Sequence, residues 1–163
     1  MPAKAWSSRP FDVGPWCHNI GIVLWERLVA ATGIWFGSGD GAESGPFVAR
    51  IALSPLPNSG VAIHYEATSR EEGLQHVEHS LLVPGPDGRA LLHIAHSESP
   101  FVAVMREREP ESGYFELVGR DGPYDMAVVI ELTESMTLSY AWWWAPAREP
   151  LVEQSKAVVA LAR

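Results

Sequence analysis

Two hydrophobic rhythms divide the sequence at Gly33. Between Asn19 and Ala31 the apolar residues Ile20, Val23, Leu24, Leu28 and Val29 return at roughly helical spacing, with Glu26 and Arg27 between them. Gly33 follows as a helix stop. Beyond it the chain breaks into short apolar runs separated by turn chemistry, at Pro55-Leu56-Pro57-Asn58-Ser59-Gly60, Pro84-Gly85-Pro86-Asp87-Gly88 and Gly119-Arg120-Asp121-Gly122-Pro123. The pattern predicts strands near 33–38, 47–54, 60–68, 74–83, 89–97, 100–107, 113–119, 124–132, 135–145 and 151–162. Residues 1–18, with Pro2, Pro10, Gly14 and Pro15, read as an irregular arm, and 19–163 as a single domain.

Some ten strands in a meander would leave two unpaired edges, and closing the sheet into a barrel removes both. A barrel of more than about eight strands usually encloses a cavity. The expected fold is therefore all-β: an up-and-down barrel of about ten antiparallel strands, of the calycin or fatty-acid-binding-protein type. The apolar stripe of the helix needs a surface to cover, either the outer wall or one open end, and the end is the expected place.

Composition narrows the function classes. With 12 Lys and Arg against 20 Asp and Glu, the formal charge of −8 suits neither a nucleic-acid backbone nor an anionic lipid surface. One cysteine, Cys17, makes an intramolecular disulfide impossible and fits a reducing compartment. The first residues lack a signal-peptide pattern, and no run approaches 18 consecutive apolar residues. A cytoplasmic location is expected. A barrel without edges has no evident need to assemble, so a monomer or weak homodimer is expected, with a hydrophobic small molecule as partner.

Candidate chemistry is sparse. The glycines of Gly33-Ile34-Trp35-Phe36-Gly37-Ser38-Gly39-Asp40-Gly41 lie on a strand with more strand behind it, which does not suit a phosphate cradle. They fit close backbone approach, with Trp35 as a plug at one barrel end. A hairpin loop from Pro84 to Gly88 would set Val83 opposite Arg89, and then His76 opposite His96 and His79 opposite His93. One histidine pair then points inward and the other outward, and periodicity leaves open which. Two histidines alone make a weak metal site, so no metal is expected. In Tyr140-Ala141-Trp142-Trp143-Trp144, Tyr140, Trp142 and Trp144 share a face, as a ligand wall or as plain filling. No Gly-x-Ser-x-Gly elbow or His-Glu-x-x-His motif occurs, and no catalytic residue is assigned.

Over about residues 25–163 these motifs resemble the nitrobindin family of haem-binding β-barrels. Gly33-x-Trp35-x-Gly37-x-Gly39-x-Gly41 is similar to its opening signature. His76-x-Glu78 followed by Pro84-x-Pro86-Asp87-Gly88 resembles its second, and Leu138-Ser139-Tyr140, Pro150-Leu151 and Lys156-Ala157 resemble its last two strands. The resemblance implies a ten-stranded barrel, haem b in a pocket at one end, and His76 facing that pocket. With the five-residue loop, His96 faces it too. The residues implied to surround the ligand are Gln154, His76, His96, Trp35, Tyr140 and Trp142. Two departures stand out. Gln154 occupies the place of the family's axial histidine, and a carboxamide is a poor iron donor. Ala42-Glu43-Ser44-Gly45 lacks the family's Tyr-Pro pair. Three readings follow: a barrel whose haem binding is weak or lost and whose cavity is free for another apolar ligand; a ferric-haem protein using His76 or His96, with peroxynitrite-isomerase-like chemistry towards nitric oxide or peroxynitrite; or a vestigial enzyme or protein-interaction module.

Overall fold

The structure, a computed structural model, describes residues 19–57, 59–109 and 114–162. The expected arm over 1–18, including Cys17, lies outside the described residues. Helix α1 (Asn19–Ala30) precedes β1 (Gly33–Gly41), β2 (Gly45–Leu56), β3 (Gly60–Ser69), β4 (Gly73–Pro84) and β5 (Ala90–His96). Then come β6 (Ala103–Glu107), β7 (Tyr114–Asp121), β8 (Tyr124–Leu132), β9 (Thr137–Pro146) and β10 (Val152–Leu161). Each strand pairs antiparallel with its sequence neighbours, and β10 returns to pair with β1, so the expected ten-stranded barrel closes. No helix among the described residues is long and apolar enough to cross a membrane.

Alternation along the strands builds the interior. Phe47, Ala49, Ile51 and Leu53 of β2 point inward, as do Val61, Ile63, Tyr65 and Ala67 of β3 and Leu138, Tyr140 and Trp142 of β9. On β1 the inward positions after Trp35 are glycines. A Cβ on Gly37 would run into the Val158 carbonyl oxygen, and one on Gly39 into the Phe47 ring. The missing side chains let β10 and Phe47 approach the β1 backbone, which is why β1 runs on to Gly41. Strand β6 starts at Ala103 rather than near 100. The Ser99 amide turns back to the His96 carbonyl (3.2 Å), and the Phe101 amide is taken by Ser99 Oγ (3.3 Å).

Helix α1 closes one end, as its stripe predicts. Leu24, Leu28 and Ala31 are buried in the barrel core. The Trp25 indole N–H donates to the Ser59 carbonyl in the β2–β3 turn, and the Arg27 guanidinium to the Thr133 carbonyl after β8. Trp25 also meets Phe115 edge-on at 5.6 Å.

The β4–β5 register corrects the hairpin expected from sequence. Val83 faces Leu91, Pro84 faces Ala90 and Glu78 faces His96, so His76 does not oppose His96, nor His79 His93. The turn is Gly85–Arg89, held by the Gly85 amide on the Arg89 carbonyl (2.7 Å). Pro84 stays in the strand because it stands beside that bonded pair, where its missing N–H costs the β5 ladder nothing. The free Ala90 amide goes instead to the Glu107 carboxylate of β6 (2.8 Å). The error is two residues, and two residues leave every side chain on the same face.

Candidate functional site

The end opposite α1 carries the β1–β2, β3–β4, β5–β6, β7–β8 and β9–β10 connections. No helix covers it. A cavity of about 460 Å³ opens there, where Ala67 and Ser155 leave room between larger walls. Trp142, Trp144, Tyr124, Phe47 and Met126 are among its apolar lining. Tyr124 meets Trp144 edge-on at 5.2 Å, which fixes both rings.

The inner end of the cavity is organised by a buried carboxyl group. Glu78, 0% exposed, accepts hydrogen bonds from the Ser80 hydroxyl, the Tyr140 hydroxyl and the Trp142 indole N–H, the last at 3.1 Å. Tyr65 stacks on Tyr140 at 5.3 Å. Burial first, and then the Glu78 charge, push both tyrosine hydroxyls above their ordinary range, so both remain phenols at neutral pH.

His76 and His96 form the next layer. Their rings stack at 6.0 Å, and Trp142 packs against each, at 5.8 Å and 5.3 Å. Both Nδ1 atoms reach the same Glu98 oxygen, Oε2, at 2.8 Å from His76 and 2.9 Å from His96. His76 Nε2 faces Glu78 at 3.7 Å and His96 Nε2 faces Asp121 at 3.4 Å, without a hydrogen bond in either case. Burial opposes charge on His76, but the Glu78 and Glu98 carboxylates outweigh it and lift its pKa to about 9. Partial burial likewise opposes charge on Glu98. The imidazole hydrogen bonds, His76 first, hold it well below the usual carboxylate range.

Of the residues singled out from sequence, Gln154, His76, His96 and Trp142 line the cavity together. Gln154 is the bulged residue of β10 against β9, and its amide donates to the Trp144 carbonyl at 3.2 Å. Tyr140 lies behind the wall, bonded to Glu78. Trp35 does not belong to the site. It is fully buried at the α1 end, with its indole N–H on the Ala31 carbonyl at 3.1 Å, and is the end plug its motif suggests. Five residues of β1 lie between it and Gly41 at the mouth, about 20 Å of strand. His79 points outward, its ring 4.3 Å from that of His64. His93 also faces outward, between the exposed Leu81 and Val104.

Sequence reasoning missed Glu98, which sits in the turn after β5 where no periodicity assigns a face, and Asp121, the last residue of β7, which falls among the turn residues Gly119–Pro123 in the sequence. It also passed over Glu78 as a site residue, although a spacing of two from His76 puts both on one face of β4.

A closed barrel with an aromatic-walled cavity at one end is the architecture of a small-molecule-binding barrel. Among solved structures the chain is similar to Rv2717c from M. tuberculosis, with 18% identity and a TM-score of 0.62 over 85% of this chain and 96% of that one. That likeness shows a shared fold, the closed antiparallel barrel expected from the sequence. No protein-family model matches the chain, and comparison with curated proteins gives no match.

Proposed function

We propose that the protein binds a small, largely apolar organic molecule in this end cavity, and that haem is not its ligand. The observation that carries the reading is the cavity itself: about 460 Å³, walled by Trp142, Trp144 and Tyr124, with a few converging polar groups. Aromatic walls reward flat apolar ligands, and His76, Gln154 and Gln75 supply hydrogen-bonding groups that orient them.

Haem fits these residues poorly. Gln154, at the position the resemblance gives to the iron ligand, has no imidazole, and its amide is engaged with the Trp144 carbonyl. No Lys or Arg lines the cavity among the described residues, whereas Glu43, Glu98 and Asp121 do. Two haem propionates would meet like charge there.

The test is a fluorescence titration with the neutral apolar probe N-phenyl-1-naphthylamine. One saturable equivalent is expected. Trp144→Ala should weaken it about tenfold, which corresponds to about 1.4 kcal/mol of lost ring contact. Probe binding that ignores Trp144→Ala would place the probe elsewhere and sink the assignment.

A further inference from the structure

We propose that His76, His96 and Glu98 form a site for one divalent first-row transition-metal ion, such as zinc or cobalt, in the cavity wall. The three ligand atoms, one from each side chain, lie within 4.8 Å of one another. The two imidazoles present Nδ1 to the same carboxylate oxygen at 2.8 and 2.9 Å. Metal bonds of about 2.0–2.2 Å require ligand atoms roughly 3.0–3.5 Å apart, so each Glu98 contact needs to lengthen by well under 1 Å to admit an ion. Glu98 is free to make that movement: its side chain is 52% exposed and lies in the turn after β5. Both imidazoles are held by strand backbone and by the Trp142 ring.

The surroundings match a metal centre in a second respect. A ligating histidine usually turns its other ring nitrogen towards a carboxylate, which fixes the tautomer. Here His76 Nε2 faces Glu78 at 3.7 Å and His96 Nε2 faces Asp121 at 3.4 Å, and neither has a hydrogen-bond partner. The His96 side chain is only 7% exposed. A proton on each Nε2 leaves both Nδ1 lone pairs for the ion, which takes the place of the protons now shared with Glu98. A cation also offsets the acidic groups Glu78, Glu98 and Asp121, around which no lysine or arginine lines the cavity among the described residues. Imidazole and carboxylate together suit zinc, iron, cobalt or nickel. Three protein ligands leave coordination positions open to the cavity that all three residues line.

The experiment is a calorimetric titration of the full chain, stripped with chelator and dialysed, with zinc chloride and separately with cobalt chloride. No organic ligand is present, so its outcome and that of the naphthylamine titration stand or fall separately. One equivalent is expected. His96→Ala and Glu98→Gln should each weaken it at least about 100-fold, the upper end of what loss of an outer-shell partner costs. The exposed His64–His79 pair on the outer wall is the competing site, and His79→Ala should change nothing. Circular dichroism of each variant without metal checks the fold, and Glu98→Gln, at a half-exposed turn position, carries the test should His96→Ala unfold. Absence of saturable binding overturns the proposal. So does binding that survives both cavity variants or vanishes with His79→Ala.

Discussion

Replacing Glu78 by alanine is expected to destabilise the barrel by about 3–5 kcal/mol, the range for breaking a buried charged network by removing one partner. Its carboxyl group is fully buried and receives the Ser80 hydroxyl, the Tyr140 hydroxyl and the Trp142 indole N–H. Truncation strands three donors in the interior, each costing about 1–3 kcal/mol when left unsatisfied. Water entering from the cavity offsets part of that, which keeps the total below the plain sum. His76 also loses one of the two carboxylates that favour its charge. Glu78→Gln keeps an acceptor oxygen for Tyr140 or Trp142 and should cost clearly less. Urea denaturation of the three proteins measures both differences. A shift of under 1 kcal/mol for the alanine variant would mean that the aromatic packing, not the carboxyl group, holds Tyr140 and Trp142 in place.

Gly37→Ala should open the seam that makes the sheet a barrel. Gly37 stands opposite Val159 of β10 and Ala49 of β2, facing inward. An added Cβ would collide with the Val158 carbonyl oxygen and sit 2.7 Å from the Val159 Cα. Both obstacles are backbone, so no side-chain rotation relieves them; β1 and β10 must separate. Overpacking of this kind costs about 3 kcal/mol or more. For a domain of this size that is a melting-temperature drop of roughly 6–12 °C. Ser38→Ala is the control: the next residue along faces outward and is exposed, and its loss should shift melting by a degree or less. Equal melting temperatures for Gly37→Ala and wild type would show that β10 does not pass this close to β1.

The strand pattern and the closure were legible because they depend on local chemistry. Turn clusters punctuate the chain, alternation sets the faces, and ten paired strands have nowhere to leave an edge. The helix at the barrel end followed from its apolar stripe in the same way. The site was legible only in part. His76 and His96 share the cavity as expected, but the pairing that argued for it is wrong by two residues. A proline ordinarily ends a central strand, yet at Pro84 the missing donor falls where the ladder needs none. The inference survived because only an odd slip exchanges the faces. Trp35 was drawn into the site by a motif that marks β1 as a whole, when its place near α1 puts it a strand's length from the mouth. Glu98 had no signal, whereas Asp121 shares the inward face of β7 with Phe115 and Leu117 but is hidden by the turn residues around it. Glu98 enters the cavity because the turns at one end of a closed barrel converge, a consequence of closure rather than of any local pattern.

The claim at the centre of this account is that the end cavity takes a small apolar molecule in preference to haem. Ferric haem titrated into the wild-type protein, followed by Soret absorbance and compared with Gln154→His, tests it most directly. The account predicts no stoichiometric Soret shift for wild type, and a clear gain in affinity once an imidazole stands at position 154. One haem bound per wild-type chain, as tightly as by Gln154→His, would contradict it.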